Sequence, residues 1–540
     1  MKSAMVETDP TGRHQQGLMA YKYEAILSTE HAENYRETRS TLHVNEETLR
    51  ILEGHPRKFQ SQNRRNRGRL VIMSLGVIAI LLFLRRAVAY VFPGVGWSHP
   101  TQSCDSVSEG YQCQPELSHY WGQYSPYFAV ESEIATEVPD QCQVTFAQIL
   151  SRHGARDPTS SKSTKYSETI ANIHAHAKSY GKGYTFIKDY TYTLGADQLS
   201  VFGQQQMINS GEKYYCRYKS LAQNTTPFIR SSGQDRVIES AQNWTQGFHD
   251  ARIDDLSESN DGYPYKIVVI SEVAGSNNTL DHGLCTSFED GFDSNIGDSA
   301  QQTWLGIFTP SITARLNRNL PGVNLTNTDT IYLMDLCPFN TVANPLGHIS
   351  PFCSLFTLSE WHSYDYYQTL GKYYGYGWGN PLGPTQGVGF TNELIARLTA
   401  TPVSDHTSTN STLDSSPKTF PIGGTTSLYA DFSHDNDMTA IFAALGLYNA
   451  TMPLSNTTLQ DTEHTKGYSA AWSVPFAARA YFEKMSCVGA KEEFVRVIVN
   501  DQVLPLEACG GDNLGRCKLS AFVDSLSFAR QGGKWDQCFA

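Results

Sequence analysis

Gln143-Val144-Thr145-Phe146-Ala147-Gln148-Ile149-Leu150 runs directly into Ser151-Arg152-His153-Gly154-Ala155-Arg156-Asp157-Pro158. The first half reads as a strand that becomes fully apolar at its end. In the second half Gly154 permits close backbone approach and Pro158 blocks immediate helix continuation. The Arg-His-Gly-x-Arg segment is therefore expected as a loop at the carboxyl end of a strand, where open α/β sheets bind their ligands.

Working outward, two other segments repeat this arrangement. Ser427-Leu428-Tyr429-Ala430-Asp431-Phe432 is strand-like, Ser433-His434-Asp435 follows, and Met438, Ile441, Phe442 and Leu445 then recur at helical spacing. Pro227-Phe228-Ile229-Arg230-Ser231-Ser232-Gly233 ends an apolar run with an arginine, and a helix is expected to begin near Asp235. If the three strands are neighbours, Arg152, His153, Arg156, Arg230, His434 and Asp435 converge on one pocket.

That set has a coherent chemistry. Phosphoryl transfer is helped mainly by positioning and fixed positive charge, and guanidinium forks match phosphate oxygens and stay protonated. Arg152, Arg156 and Arg230 are the candidate phosphate ligands. His153 is the candidate nucleophile, taking the phosphoryl group on a ring nitrogen before water removes it. Asp435 is the candidate acid that protonates the departing alkoxide. The five fixed residues of R-H-G-x-R-x-P arise by chance about once in several thousand chains of this size, so they carry the weight, whereas His434-Asp435 counts only through its place at a second strand end. His119, His174 and His176 are read as structural.

The chain has 540 residues, 40% of them hydrophobic, enough for a large core. Residues 1 to 99 carry a net formal charge of +5 and the rest −17, and so acidic a body argues against nucleic acid as a partner. All eleven cysteines lie beyond residue 100, none in a C-x-x-C pair, which favours disulfides in an oxidising compartment over zinc. Seven glycosylation sequons, at Asn224, Asn243, Asn277, Asn324, Asn410, Asn449 and Asn456, fall in the same region. Residues 1–69 read as a disordered polar tail ending in a basic run. Leu70 to Leu84 is fifteen residues without charge, and 70–92 is read as a signal-anchor helix with the tail cytosolic and the body lumenal or extracellular. Cleavage near Ala87-Val88-Ala89, giving a secreted product, is the alternative; a buried core helix is the third reading. From residue 100 onward, strand-like runs alternate with helical stretches, which predicts an α/β fold.

R-H-G-A-R-D-P and S-H-D resemble the two signatures of the histidine acid phosphatases, a branch of the histidine phosphatase superfamily. The stretches S-C-D-S-V-S-E-G-Y-Q-C from Ser103, F-I-R-S-S-G from Phe228, Y-K-I-V-V-I-S-E from Tyr265, G-N-P-L-G-P-T-Q-G-V-G from Gly379 and L-Y-A-D-F-S-H-D from Leu428 resemble the fungal phytases of that family, 3-phytase type. The likeness runs from about Cys104 to Ala540. It implies a large α/β domain over 100–540, with a central mixed sheet flanked by helices and a smaller helical domain inserted within about 160–330. It implies the roles given above for His153, Asp435, Arg152, Arg156 and Arg230, a phosphate contact from His434, and substrate-binding lysines at Lys162, Lys165 and Lys372. Gly371 stands where some relatives carry a second lysine, and Asp157 replaces an aromatic residue, placing a negative charge near the mouth. It implies five disulfides: Cys104 with Cys113, Cys142 with Cys487, Cys285 with Cys538, Cys337 with Cys353, and Cys509 with Cys517. Cys216 is left over and is expected to be a buried free thiol. The expected activity is hydrolysis of phosphate monoesters, with myo-inositol hexakisphosphate (phytate) as substrate, by a monomeric domain needing no metal or cofactor. Alternatives are a broad acid phosphatase and an inactive membrane glycoprotein that binds inositol phosphates.

Overall fold

The computed structural model describes residues 105–256 and 262–540; the tail, the segment 70–92 and Cys104 lie outside them. Eight strands form one sheet: β1 Cys142–Arg152, β2 Phe228–Ser232, β3 Ile267–Ile270, β4 Leu428–Ser433, β5 Arg479–Cys487, β6 Phe494–Val499, β7 Gln502–Val503 and β8 Arg516–Lys518. Their order is β3-β2-β4-β1-β5-β6-β7, with β8 on β6. The pairs β1–β4, β4–β2 and β2–β3 are parallel, whereas β5 and the strands beyond it are antiparallel. The three strands expected to be neighbours therefore lie side by side and point the same way, so their carboxyl ends share one edge.

The helices that position the site are α1 Ser160–His176, α2 Val201–Arg217, α3 Asp235–Leu256, α4 Ile296–Phe308, α5 Pro310–Asn319, α6 Asn327–Ala343, α7 Leu358–Gly375, α8 Val388–Thr399 and α9 Asp435–Ala444. Helices α6 and α7 each begin with a capping box, Thr326 with Asp329 and Thr357 with Glu360, which satisfies backbone donors that a helix start otherwise leaves unpaired. Tyr214, Trp244 and Phe248 from α2 and α3 pack against Ile229, Ala430 and Phe432 of the sheet. Phe390 and Leu394 of α8, with Met438 and Ile441 of α9, form a separate core with Leu150 and Tyr429. Because successive strand residues face opposite ways, alternating positions of β4 feed each core, and the doubly covered strand is buried along its whole length.

A third core joins α1 to α4–α7 through Ile170, Trp304, Leu316, Leu333, Trp361 and Leu370. These helices reach Gly375, past the expected boundary near 330, and the sheet elements β2, α3 and β3 interrupt them. Among the described residues, disulfides join Cys142–Cys487, Cys285–Cys538, Cys337–Cys353 and Cys509–Cys517, while the expected Cys104–Cys113 pair involves a residue outside them. Cys216 is a free thiol but exposed, a correction to the buried position expected of it: on α2 its neighbours Tyr214 and Tyr215 turn inward and Cys216 faces out. Among the described residues no helix is long and apolar enough to cross a membrane.

Candidate active site

The loop after β1 is held by its backbone. His153 N–H donates to Ser433 of β4 and Ala477 N–H donates to His153. Gly154 N–H donates to Ser240 Oγ, and a Cβ at Gly154 would lie 2.3 Å from the Gly203 carbonyl oxygen of α2. Glycine is thus required here because α2 passes directly over the loop. The imidazole of His153 is 1% exposed, and its Nδ1 lies 2.8 Å from the Gly154 carbonyl. A carbonyl can only accept, so Nδ1 carries the proton and the Nε2 lone pair is left free. Burial, reinforced by Arg152, Arg236 and Arg156, holds the ring well below its ordinary pKa. The ring is thereby held toward its neutral, nucleophilic form.

Arg152 is fully buried, with its guanidinium stacked 4.5 Å from Phe476 and Nη1 donating to Val474. Its Nε has no hydrogen-bond partner among the described residues, nor does the Nε of Arg156 or of Arg236. Three buried guanidinium edges without acceptors make a site whose desolvation cost an anion would offset. Burial pushes both Arg152 and Arg236 down to about 10, far enough above neutral that both remain cations.

Arg230 does not belong to this group, which corrects the expected assignment. Its Nε is 2.8 Å from Asp431 and its Nη2 2.7 Å from Glu393, both carboxylates being buried, and Asp431 is bound on its other oxygen by Arg397 at 2.6 Å. Arg230 stands opposite Asp431 in the β2–β4 register and neutralises it within the sheet. The third arginine whose charge acts on His153 is Arg236, the second residue of α3, braced by Asp197 at 3.5 Å.

His434 caps the end of β4, with its ring centroid 5.6 Å from that of His153 and its Nε2 3.0 Å from Glu272. Asp435, the first residue of α9, is a carboxylate in this state. Burial would raise its pKa, but Arg152 at 3.5 Å and Lys372 at 2.6 Å outweigh that and hold it well below the usual range.

Against Arg156 and Asp435 of this set lies a cavity of about 390 Å³, lined also by Lys162 and Lys372 and by Glu289, Asp298 and Asp335. Gly371 lines it as well. Lys162 lies 5.2 Å from the Tyr332 ring at the cavity wall. Lys165, one helical turn further on, is not in the lining: its side chain is 55% exposed and paired with Glu168. Asp157 is also absent from the lining, because its carboxylate turns to the Gly195 N–H.

A mixed α/β sheet whose parallel strand ends gather arginines with free Nε groups around a buried imidazole defines an anion-binding α/β protein with a histidine at its centre. The chain belongs to the histidine phosphatase superfamily (branch 2), whose family model matches residues 143–500. It is 54% identical to phytase A of Aspergillus oryzae over 472 residues, covering 86% of this chain and 100% of that protein. Phytase A of Aspergillus fumigatus is 53% identical over 468 residues, covering 85% and 99%. Among solved structures, the phytase from D. castellii superimposes with a TM-score of 0.64 at 23% identity, covering 82% of this chain and 91% of that one, a likeness of fold.

Proposed function

We propose that this chain hydrolyses phosphate monoesters, with phytate as substrate, through a phosphohistidine on His153. The observation that carries the reading is the imidazole itself: Nδ1 tied to the Gly154 carbonyl, Nε2 free, and the ring kept neutral by burial and three arginines. Arg152, Arg156 and Arg236 would grip the peripheral oxygens of the phosphoryl group, with His434 as a further contact. As the Nε2–P bond forms and the ester P–O bond breaks, Asp435 in its acid form gives its proton to the leaving oxygen. Water then attacks phosphorus, Asp435 takes a proton from it, the P–N bond breaks and orthophosphate departs. Cations at the phosphoryl oxygens supply the electrostatic stabilisation. The relatives named phytase and the lysines of the cavity support phytate as the substrate. The acidic side chains Glu289, Asp298 and Asp335 in the same lining favour a second reading, broad action on less phosphorylated esters.

His153→Ala should abolish turnover of both phytate and an aryl phosphate, and an acid-quenched wild-type reaction should yield a phosphorylated His153 peptide. More than a few per cent of residual activity in that variant would refute the nucleophile assignment. The disulfides fit a catalytic body outside the cytosol. Residues 70–92 would serve as its signal-anchor, with release near Ala89 the alternative that N-terminal sequencing of the mature protein distinguishes.

A further inference from the structure

Lys372, 7% exposed near the end of α7, makes two bonds at the head of the cavity: Nζ to Asp435 Oδ2 at 2.6 Å and to Asn436 Oδ1 at 2.5 Å. Arg152 Nη2 approaches the same Asp435 oxygen at 3.5 Å. The group that must carry a proton when the alcohol leaves is thus held as a carboxylate by two cations. Of the two, Arg152 is fixed by backbone carbonyls on its other nitrogen and by the Phe476 ring. Lys372 is the movable one: its ammonium is carried on a flexible four-carbon stem and faces a cavity far larger than one phosphoryl group.

We propose that Lys372 is a clasp on Asp435 that a second phosphate of the same substrate opens. A phosphate on the carbon next to the scissile ester draws the ammonium off the carboxylate and leaves Asp435 free to take a proton from solvent or from the monoanionic ester. Asp435 then delivers that proton to the ester oxygen as the P–O bond breaks, returning to the carboxylate. An isolated monoester offers Lys372 no other partner, so its alcohol leaves against an unprotonated Asp435. In this way a neighbouring phosphate raises turnover as well as affinity. Lys372 is a positioning residue in this step, acting through Asp435.

The other groups facing Asp435 are His153 and Arg152 from β1 and its loop, Arg236 from α3, Tyr124, and Tyr376 beyond α7; Arg156 faces Lys372. Of these, Lys372 is the cation in closest contact with the acid. Burial lowers the pKa of Lys372 and its bond to Asp435 opposes that, so the ammonium persists through the acidic range.

The inference rests on Asp435 as the acid, and the experiment separates the two claims. Turnover of glycerol 2-phosphate, 4-nitrophenyl phosphate and phytate is measured from pH 3 to 7 for the wild type, Lys372→Met, Lys372→Arg and Asp435→Asn. An opposite charge this close shifts a carboxyl by one unit or more, so Lys372→Met should raise kcat for glycerol 2-phosphate by roughly tenfold relative to 4-nitrophenyl phosphate, and move the declining limb of its pH profile upward. Phytate should instead show a higher KM without a gain in kcat. Lys372→Arg, which keeps the charge, should retain the wild-type ratio and controls for folding. Equal effects of Lys372→Met on the alkyl and aryl esters, with Asp435→Asn still selective against the alkyl ester, would overturn the clasp alone. If Asp435→Asn loses the same factor on both esters, the acid assignment falls and the clasp with it.

Discussion

Replacing Arg236 and Arg230 one at a time separates a phosphate ligand from a structural ion pair, because the structure gives the two arginines opposite energetics. Among the described residues Arg236 has one ion-pair partner, Asp197 at 3.5 Å, itself 42% exposed, so removing the arginine forfeits at most about 1 kcal/mol of stability. Its free Nε edge beside His153 offers the substrate two charge-assisted hydrogen bonds worth about 3 kcal/mol in the transition state, or roughly a hundredfold in kcat/KM. Arg230→Met leaves Glu393 without its cation and Asp431 with only Arg397, both carboxylates being at most 3% exposed. Breaking such a pair costs about 3–5 kcal/mol, a large share of a typical domain's stability, and should lower Tm by roughly 3–5 °C in a body of this size. Thermal unfolding paired with initial rates on phytate and 4-nitrophenyl phosphate reads both quantities. Arg236→Ala should melt like the wild type and turn over roughly a hundredfold more slowly; Arg230→Met should melt early, while the fraction still folded at 20 °C keeps its kcat. A stable Arg230→Met that has lost activity, or an Arg236→Ala within threefold of wild type, would refute the placement of both.

Buried titrating groups should make stability depend on pH in a way that can be assigned residue by residue. Burial raises Asp105 and Asp437 to about 7, so each stays protonated in the fold while its unfolded counterpart ionises near 4. The stability that goes with those protons is complete below pH 4 and is lost as pH climbs to about 7, up to roughly 4 kcal/mol per group. Asp431 and Glu483 act in the opposite sense: burial is outweighed by Arg230 and Arg397 in one case and Arg217 and Arg496 in the other, so their stability is present above pH 4 and lost below it. His119 and His153 act against the two aspartates, because burial holds both imidazoles below their ordinary pKa and so favours the fold as pH rises through about 6.5. The aspartate contribution is therefore read by difference: Asp437→Asn should gain Tm relative to the wild type as pH rises from 4.5 to 7.5, and a difference that stays constant over this interval contradicts the assignment. Among the sequons, Asn224, Asn324, Asn449 and Asn456 are exposed, whereas the side-chain amides of Asn243 and Asn277 already donate to Glu239 and to Thr407 and Thr409. Peptide mapping after enzymatic deglycosylation should find the first four occupied in preference to the last two.

Arg230 and Arg236 together show what a sequence carries and what it leaves out. The loop of His153 was legible because glycine and proline dictate where a strand must stop, and because apolar runs around Ile149, Ile229 and Ala430 announce strands buried on both faces. Neighbourhood of those strands was only a condition in the sequence; the parallel pairing of β1 and β2 with β4 supplies it and brings Arg152, His153, His434 and Asp435 to one edge. Arg230 looked like part of that set because it closes an apolar run. Its alternation within β2, however, sets it opposite Asp431, and an acid in the middle of Leu428-Tyr429-Ala430-Asp431-Phe432 was itself the signal that the sheet needs a buried cation. Arg236 lies six residues further on, in the first turn of α3, where helical side chains lean back toward the amino terminus and so reach the strand ends. The same lean brings a side chain from the start of a helix over the loop before it, which makes the first helical turn after a strand as natural a source of phosphate ligands as the strand end itself. Lys372 and Glu272 were harder still to place as partners of Asp435 and His434. Each meets its partner across more than sixty positions of sequence, through helix packing and sheet order that no local pattern encodes.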